Sequence, residues 1–457
     1  MSTISAGTSI LASLVETGDT SGNLVLQTNG NVTAVTIDTS QRVILASSVT
    51  ATSTSTGALQ VIGGVGIGGR LYVNGETNIN TTSSTSTTTG ALVISGGVGI
   101  GGNVNVGGTV NTLNTFGFKN RIINGGMTIA QRATSVSAYS GGGYQTLDRW
   151  NLFQNLGAMN IAQSSNAPTG FSNSMQFTVS TTASQTSNAT SIVTPNQSIE
   201  GFNTADLMWG TANAKTITVS AWVYSNLVGQ YAIWIRNATA DRYYTTPFSV
   251  TTSNTWQQIT TTIAGDTSGT WVGASTGTGL TIGICLAAGS SRVGTANTWS
   301  ASTTYGTTGQ VDWQATASNT FYITGVQLEV GPQATSFDVR DYGRELQLCQ
   351  RYYQRISGNT TNPNFLNGTL WTTTSVYAPM MFPTTMRAAP TFNYSTSTGL
   401  FTALTASATG SSTTISAYTN TYGAEINSGL SAGLATAGYS VFLRFATTGW
   451  VDFSAEL

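Results

Sequence analysis

Four aromatic residues, Trp271, Trp299, Tyr305 and Trp313, are the side chains of this sequence best placed to hold a sugar. A pyranose offers its C–H face to an aromatic ring and its hydroxyl rim to amides and hydroxyls. Trp299, Tyr305 and Trp313 fall in Ser291–Thr316, a Ser/Thr/Gly-rich stretch where strand alternation lapses. A loop aromatic is costly to expose without a partner. Trp271 follows the turn residues Asp266-Thr267-Ser268-Gly269. The competing reading packs each ring on its own sheet. Trp222, Trp234 and Trp256 lie in or beside predicted strands, and Trp150 follows Asp148-Arg149, so core packing is expected of them. Trp371 and Tyr377 are further possible contacts, with no spacing that separates them from core.

Catalytic chemistry has less to work with. The chain has no histidine, which removes the commonest general base, the Ser-His and Cys-His dyads and every His-containing zinc site. Glycoside hydrolysis needs two carboxylates about 5–10 Å apart. Asp206, Asp241, Asp266 and Asp312 stand singly among turn residues, where Asp more often bonds its own backbone. A structural Ca²⁺ held by Asp and backbone oxygens is conceivable, but no loop has dense acidic spacing and no metal is assigned. Gly64-x-Gly66-x-x-Gly69 and Gly97-x-Gly99-x-x-Gly102 have dinucleotide-binding spacing. That motif needs a strand, a helix and an acidic residue about 20 positions on. Here Leu71-Tyr72-Val73 and Asn74-Gly75 read as a strand and a turn, and Glu76 comes too early. No cofactor is expected.

Charged residues make up 7 % of the 457 residues, with a net charge of −1, against about 25 % in ordinary domains. With 39 % hydrophobic residues and ten Trp, the chain is folded and β-biased, with a surface of hydroxyls and amides. No basic run exists to neutralise phosphates, so nucleic acid is not an expected partner. No apolar stretch reaches the roughly 18–20 residues of a membrane span. The first residues lack the positive region of a signal peptide, and Cys285 and Cys349 do not make a disulfide framework. Synthesis and folding in a cytoplasm are expected.

The elements that would position these residues form five blocks. Residues 1–50 contain a hairpin, Asn23–Thr28 and Val32–Ile37 joined through Asn29-Gly30. Residues 51–116 carry a 33-residue repeat, in which Gly57–Gly69 returns as Gly90–Gly102 after the Ser/Thr tracts Thr52–Thr56 and Ser83–Thr89. Two units are too few for a solenoid, so another copy of the chain is the expected partner. Residues 117–340 alternate short strands with turns, as a β-sandwich or jelly roll does. Ile217, Val219, Ala221 and Val223 share one face of such a strand. Residues 341–355 read as the one convincing helix, within a connector spanning 341–357. Asp341 is its N-cap, and Leu346, Cys349 and Tyr353 form a stripe that either packs on its own sandwich or meets its copies on a symmetry axis. Residues 358–457 close the chain as a second β domain, expected as a sandwich.

The repeat resembles the glycine-rich shaft segments of tailed-bacteriophage fibres, notably from cyanophages. Lys119–Met127, Gln131-Arg132, Leu147-Asp148-Arg149-Trp150, Ile323–Gly331, Leu348–Tyr353 and the final Ala455-Glu456-Leu457 are similar to strings in phage virion proteins with a carbohydrate-binding-module-like jelly roll. The resemblance implies an all-β homotrimeric tail fibre on the virion, attached through residues 1–50 to other tail proteins and adsorbing to host surface glycan or lipopolysaccharide. It implies no enzyme. A purely structural fibre or connector, on tail or head, and a polysaccharide depolymerase are the alternatives.

Overall fold

A computed structural model describes residues 22–28, 32–45, 59–61, 65–74, 77, 98–101, 118–184, 187–358, 365–396, 398–434, 436–446 and 449–457. The chain divides into two compact units, Met1–Gly107 and Gly108–Leu457.

In the first unit, β1 (Leu24–Thr28), β2 (Val32–Ile37) and β3 (Val43–Leu45) form an antiparallel meander. The Asn29-Gly30 turn lies outside the described residues. Asp38 shapes the turn into β3, its carboxylate accepting from the Ser40 and Arg42 amides and from Arg42 Nε. Most of the 33-residue repeat also lies outside the described residues. Leu71-Tyr72-Val73, expected as a strand, forms none, and its side chains are exposed together with Leu59, Val65 and Ile67. Apolar alternation makes a strand only where a neighbouring strand takes up its backbone groups.

The second unit begins with a two-layered β-sandwich. Its strands are β4 (Ser135–Tyr144), β5 (Asn151–Ser164), β6 (Ser174–Thr181), β7 (Ile192–Glu200), β8 (Ile217–Ser225) and β9 (Gly229–Asn237). They continue as β10 (Tyr243–Val250), β11 (Gln257–Ile263), β12 (Thr278–Cys285), β13 (Ala287–Ala288), β14 (Val293–Gly294), β15 (Thr298–Ser300), β16 (Gly306–Thr307) and β17 (Thr320–Val330). The ladder runs β11-β8-β17-β6-β5-β7-β12-β9-β10-β15. Long β5 joins the layers: Ala158–Ser164 pair with β6, whereas Asn151–Gln154 pair with β7. Gly157 lies between those halves at φ +68°, and a Cβ there would lie 2.5 Å from the Thr181 carbonyl oxygen. Only glycine fits that bend.

Alternation fills the space between the layers. Ile217, Val219, Ala221 and Val223 of β8 face inward with Tyr231, Ile233 and Ile235 of β9 and Phe177, Phe321 and Leu328. Each fully buried aliphatic or Phe side chain contributes about 1.5–3 kcal/mol.

Helix α1 (Tyr342–Gln350) follows, and the Asp341 carboxylate accepts from the Arg344 amide at 3.0 Å as an N-cap should. The helix stops before Tyr353, which opens strand β18 (Tyr353–Ser357). Two successive tyrosines have separate partners here: the Tyr352 hydroxyl donates to Glu200 of the sandwich, and the Tyr353 hydroxyl donates to Asp452. Leu346 and Cys349 pack against Ile123, Ile129 and Tyr352 of their own chain. Both cysteines are free and buried, and burial pushes the Cys285 thiol up to about 12.

The last hundred residues hold β19 (Phe365–Thr372), β20 (Ser375–Met381), β21 (Thr391–Tyr394), β22 (Phe401–Leu404), β23 (Thr409–Thr419), β24 (Gly423–Leu430), β25 (Ser440–Phe445) and β26 (Trp450–Ser454). Six of them close a barrel, in the order β19-β20-β24-β23-β22-β25, and β18-β26-β21 make a three-stranded sheet beside it. Leu370, Val376, Phe401, Ile426 and Leu443 fill the barrel. The chain is thus all-β with one short α-helix among the described residues, none of whose helices is long and apolar enough to cross a membrane.

Candidate functional site

The strings that carry the fibre resemblance build the seam between the sandwich and the terminal domain. Asn120 donates from Nδ2 to the Val326 carbonyl, while its Oδ1 accepts from the Ile122 and Leu328 amides. Asn124 likewise bonds the Ile129 and Asp148 carbonyls and accepts from the Thr128 and Ile129 amides. Irregular backbone is thereby satisfied where no ladder reaches it. Arg149, buried, stacks 3.6 Å from the Tyr352 ring centroid, donates to the Ser198 carbonyl at 2.6 Å and pairs with Glu456. Glu200 accepts from Arg351 at 2.6 and 3.0 Å and from the Tyr352 hydroxyl at 2.7 Å. Asp148, enclosed beside Arg132 and Gln131, has its carboxyl raised to about 6, with burial the largest cause.

Along this seam opens a cleft of about 630 Å³. One side comes from the approach to and ends of β4, with Arg132, Ser135, Tyr144 and Gln145; the other is a face of the β18-β26-β21 sheet, with Arg355, Asn393, Trp450 and Asp452, and with Tyr394 at the end of β21. Strand register explains the second side. Arg355 of β18 and Asn393 of β21 both stand opposite Asp452 of β26. Asp452 accepts from the Tyr353 hydroxyl at 2.7 Å, Arg355 Nη2 at 2.9 Å and Asn393 Nδ2 at 3.0 Å. Burial, then the bond to Asp452, pushes the Tyr353 phenol up. Arg355 lies 3.9 Å from the Trp450 ring centroid, and Arg132 lies 3.4 Å from that of Tyr353. Tyr394 is 39 % exposed.

The arrangement suits a polyhydroxylated ligand. Aromatic rings, two amides and serine hydroxyls line a cleft whose guanidinium groups are paired with carboxylates, so its charge is balanced within the protein. Asp452 is the only carboxylate in the lining, and three donors already occupy it. Among the described residues, no second carboxylate lines the cleft. Among the described residues, no group of three His, Cys, Asp or Glu is placed to hold a metal ion.

The four aromatics singled out from the sequence lie elsewhere. Trp313 is wholly buried in the sandwich core. Tyr305 packs edge-on against Trp234 at 4.8 Å and Tyr243 at 5.5 Å, and burial followed by Tyr243 pushes its phenol up to about 12. Trp271 and Trp299 do come together, at 5.5 Å, in a cluster with Trp209 and Tyr244. Their indole N–H groups donate to the Ser268 and Ala264 carbonyls. The space beside Trp209 and Trp271 is about 50 Å³. Asp266 is engaged by Arg242 at 2.6 and 2.7 Å, and Asp206 by Arg121 at 2.7 Å. Trp450, Tyr394 and Asn393 were not singled out from the sequence. The available signal was period two in Trp450-Val451-Asp452-Phe453-Ser454, which sets Trp, Asp and Ser on one face and buries Val451 and Phe453 on the other.

No family model matches the chain, and no curated protein matches it. Among solved structures it is similar to the enzymatically active domain of bacteriophage CBA120 tailspike protein 4, at 11 % identity and TM-score 0.26, over 46 % of this chain and 21 % of that one. It is also similar to TmCBM61 in complex with beta-1,4-galactotriose, at 10 % identity and TM-score 0.25, over 47 % and 99 %. A CBM4 structure follows at 14 % identity and TM-score 0.24, over 46 % and 98 %. The chain spans about a fifth of the tailspike structure. At these TM-scores the likenesses carry no argument about its activity.

Proposed function

We propose that this chain is a non-enzymatic adhesin of a phage virion, a homotrimeric tail fibre whose seam cleft binds host surface glycan. The cleft carries the reading. It is large enough for a sugar unit, lined by aromatic, amide and hydroxyl groups, and balanced in charge. The trimer is supported by Leu59, Val65, Leu71 and Tyr72, exposed apolar side chains that pairing between copies would cover. Several weak sites per particle would then raise avidity by orders of magnitude, about 10²–10⁴-fold.

Binding of the purified chain to host polysaccharide or lipopolysaccharide tests the reading, with Trp450→Ala and Tyr394→Ala as probes. Each substitution is expected to weaken binding, and no new reducing ends should appear in the glycan. Equal binding by both variants contradicts the cleft, and release of reducing ends makes the protein a depolymerase. Attachment to particles without any glycan binding points instead to a purely structural fibre.

A further inference from the structure

We propose that the outer wall of the terminal barrel carries a second saccharide surface, a platform of Trp371 and Tyr377 that stacks a neutral pyranose. It lies on elements that do not line the cleft, and it stands or falls without that site. Leu370 and Val376 are paired in register and both point into the barrel core, which turns Trp371 and Tyr377 outward. The two rings lie 5.7 Å apart at 53°, and Trp371 is 71 % exposed.

Strand register sets polar groups beside the rings. Thr369 of β19 stands opposite Tyr377 of β20, Tyr377 opposite Asn427 of β24, and Asn427 opposite Ser416 of β23. The row is therefore hydroxyl, phenol, amide, hydroxyl, with no charge in it.

The same features select the occupant. An acidic sugar would find no cation in the row. The barrel also exposes Tyr418, Tyr439 and Phe442, so contact between copies is the competing occupant, and the sedimentation measurement below reads it. An uncharged oligosaccharide matches both the rings and the row, with the C–H face of one ring on the indole and hydroxyls along the chain on the exposed Thr369 and Ser416.

The test uses the full chain with Trp450→Ala, so that the seam cleft is disabled, and adds Trp371→Ala or Trp371→Phe. Cellohexaose, maltohexaose and a mannan hexaose are titrated and followed by saturation-transfer NMR. The expected result is residual binding of at least one hexaose, weakened about tenfold or more by Trp371→Ala and partly kept by Trp371→Phe. Because Trp371 is exposed, the melting temperature should not move. The proposal is overturned if no hexaose binds the Trp450→Ala protein, or if Trp371→Ala leaves binding unchanged. It is equally overturned if Trp371→Ala lowers the sedimentation coefficient, which assigns the platform to contact between copies. Comparison of Trp450→Ala with the unaltered chain reads the cleft separately.

Discussion

Arg355 lies 3.9 Å from the centre of the Trp450 ring while its Nη2 donates to Asp452 at 2.9 Å, so one guanidinium orders both the aromatic and the acidic group of the cleft. Such a cation–ring contact contributes about 0.5–2 kcal/mol. Arg355→Lys keeps the charge and loses the planar fork. It is expected to lower glycan affinity severalfold, with only a small change in melting temperature. Titration beside a thermal melt checks this, and unchanged affinity would detach Arg355 from the site.

Glu456 closes the seam from the far end of the sequence, pairing with buried Arg149 and lying 3.2 Å from Arg132. Removing one partner of a buried pair strands the other charge, at a cost of about 3–5 kcal/mol. Glu456→Ala should therefore destabilise the chain by that amount in denaturant unfolding. A loss below about 1 kcal/mol would show that solvent reaches Arg149.

Asp148 gives the seam a pH dependence. Its carboxyl is raised to about 6, above its ordinary 3.8, with burial as the main cause. A group held protonated more tightly in the folded state favours folding at low pH. The contribution is fully present below about pH 4 and is lost as pH rises to about 6. The stability difference between the unaltered chain and Asp148→Asn should change over that window, in favour of the unaltered chain at the acid end. Unfolding curves at pH 4, 5 and 6 measure it, and a constant difference rules out Asp148 as the titrating group.

Gly157 sets the crossing of β5 between layers. Gly157→Ala forces a Cβ to within 2.5 Å of the Thr181 carbonyl oxygen at φ +68°. About 1–3 kcal/mol of strain is expected, read as a lower denaturation midpoint with an unchanged slope. An unchanged midpoint would mean that the bend relaxes freely.

Much of the sandwich is legible in local pattern. The inward set of β8, Ile217 to Val223, can be read at period two, and Asp341 can be read as a helix cap because its partner is three residues away. The site is less legible because it depends on register between distant segments. Arg355, Asn393 and Asp452 meet only because β18, β21 and β26 pair, and nothing local in any of them announces the other two. Loop composition around Trp299, Tyr305 and Trp313 suggested exposure, yet long loops can fold back over a sheet. Tyr305 does so against Trp234, and Trp313 enters the core outright. Trp371 and Tyr377 are separable from core only once Leu370 and Val376 are seen to face inward.

The most direct measurement of the central claim is photo-crosslinking of the intact chain with diazirine-bearing oligosaccharides from the host surface, mapped by mass spectrometry. The account predicts adducts on the peptides that carry Tyr394 and Trp450, competed by unlabelled glycan and reduced in Trp450→Ala. Adducts confined to the Trp271 and Trp299 cluster, or none that unlabelled glycan competes, would contradict it.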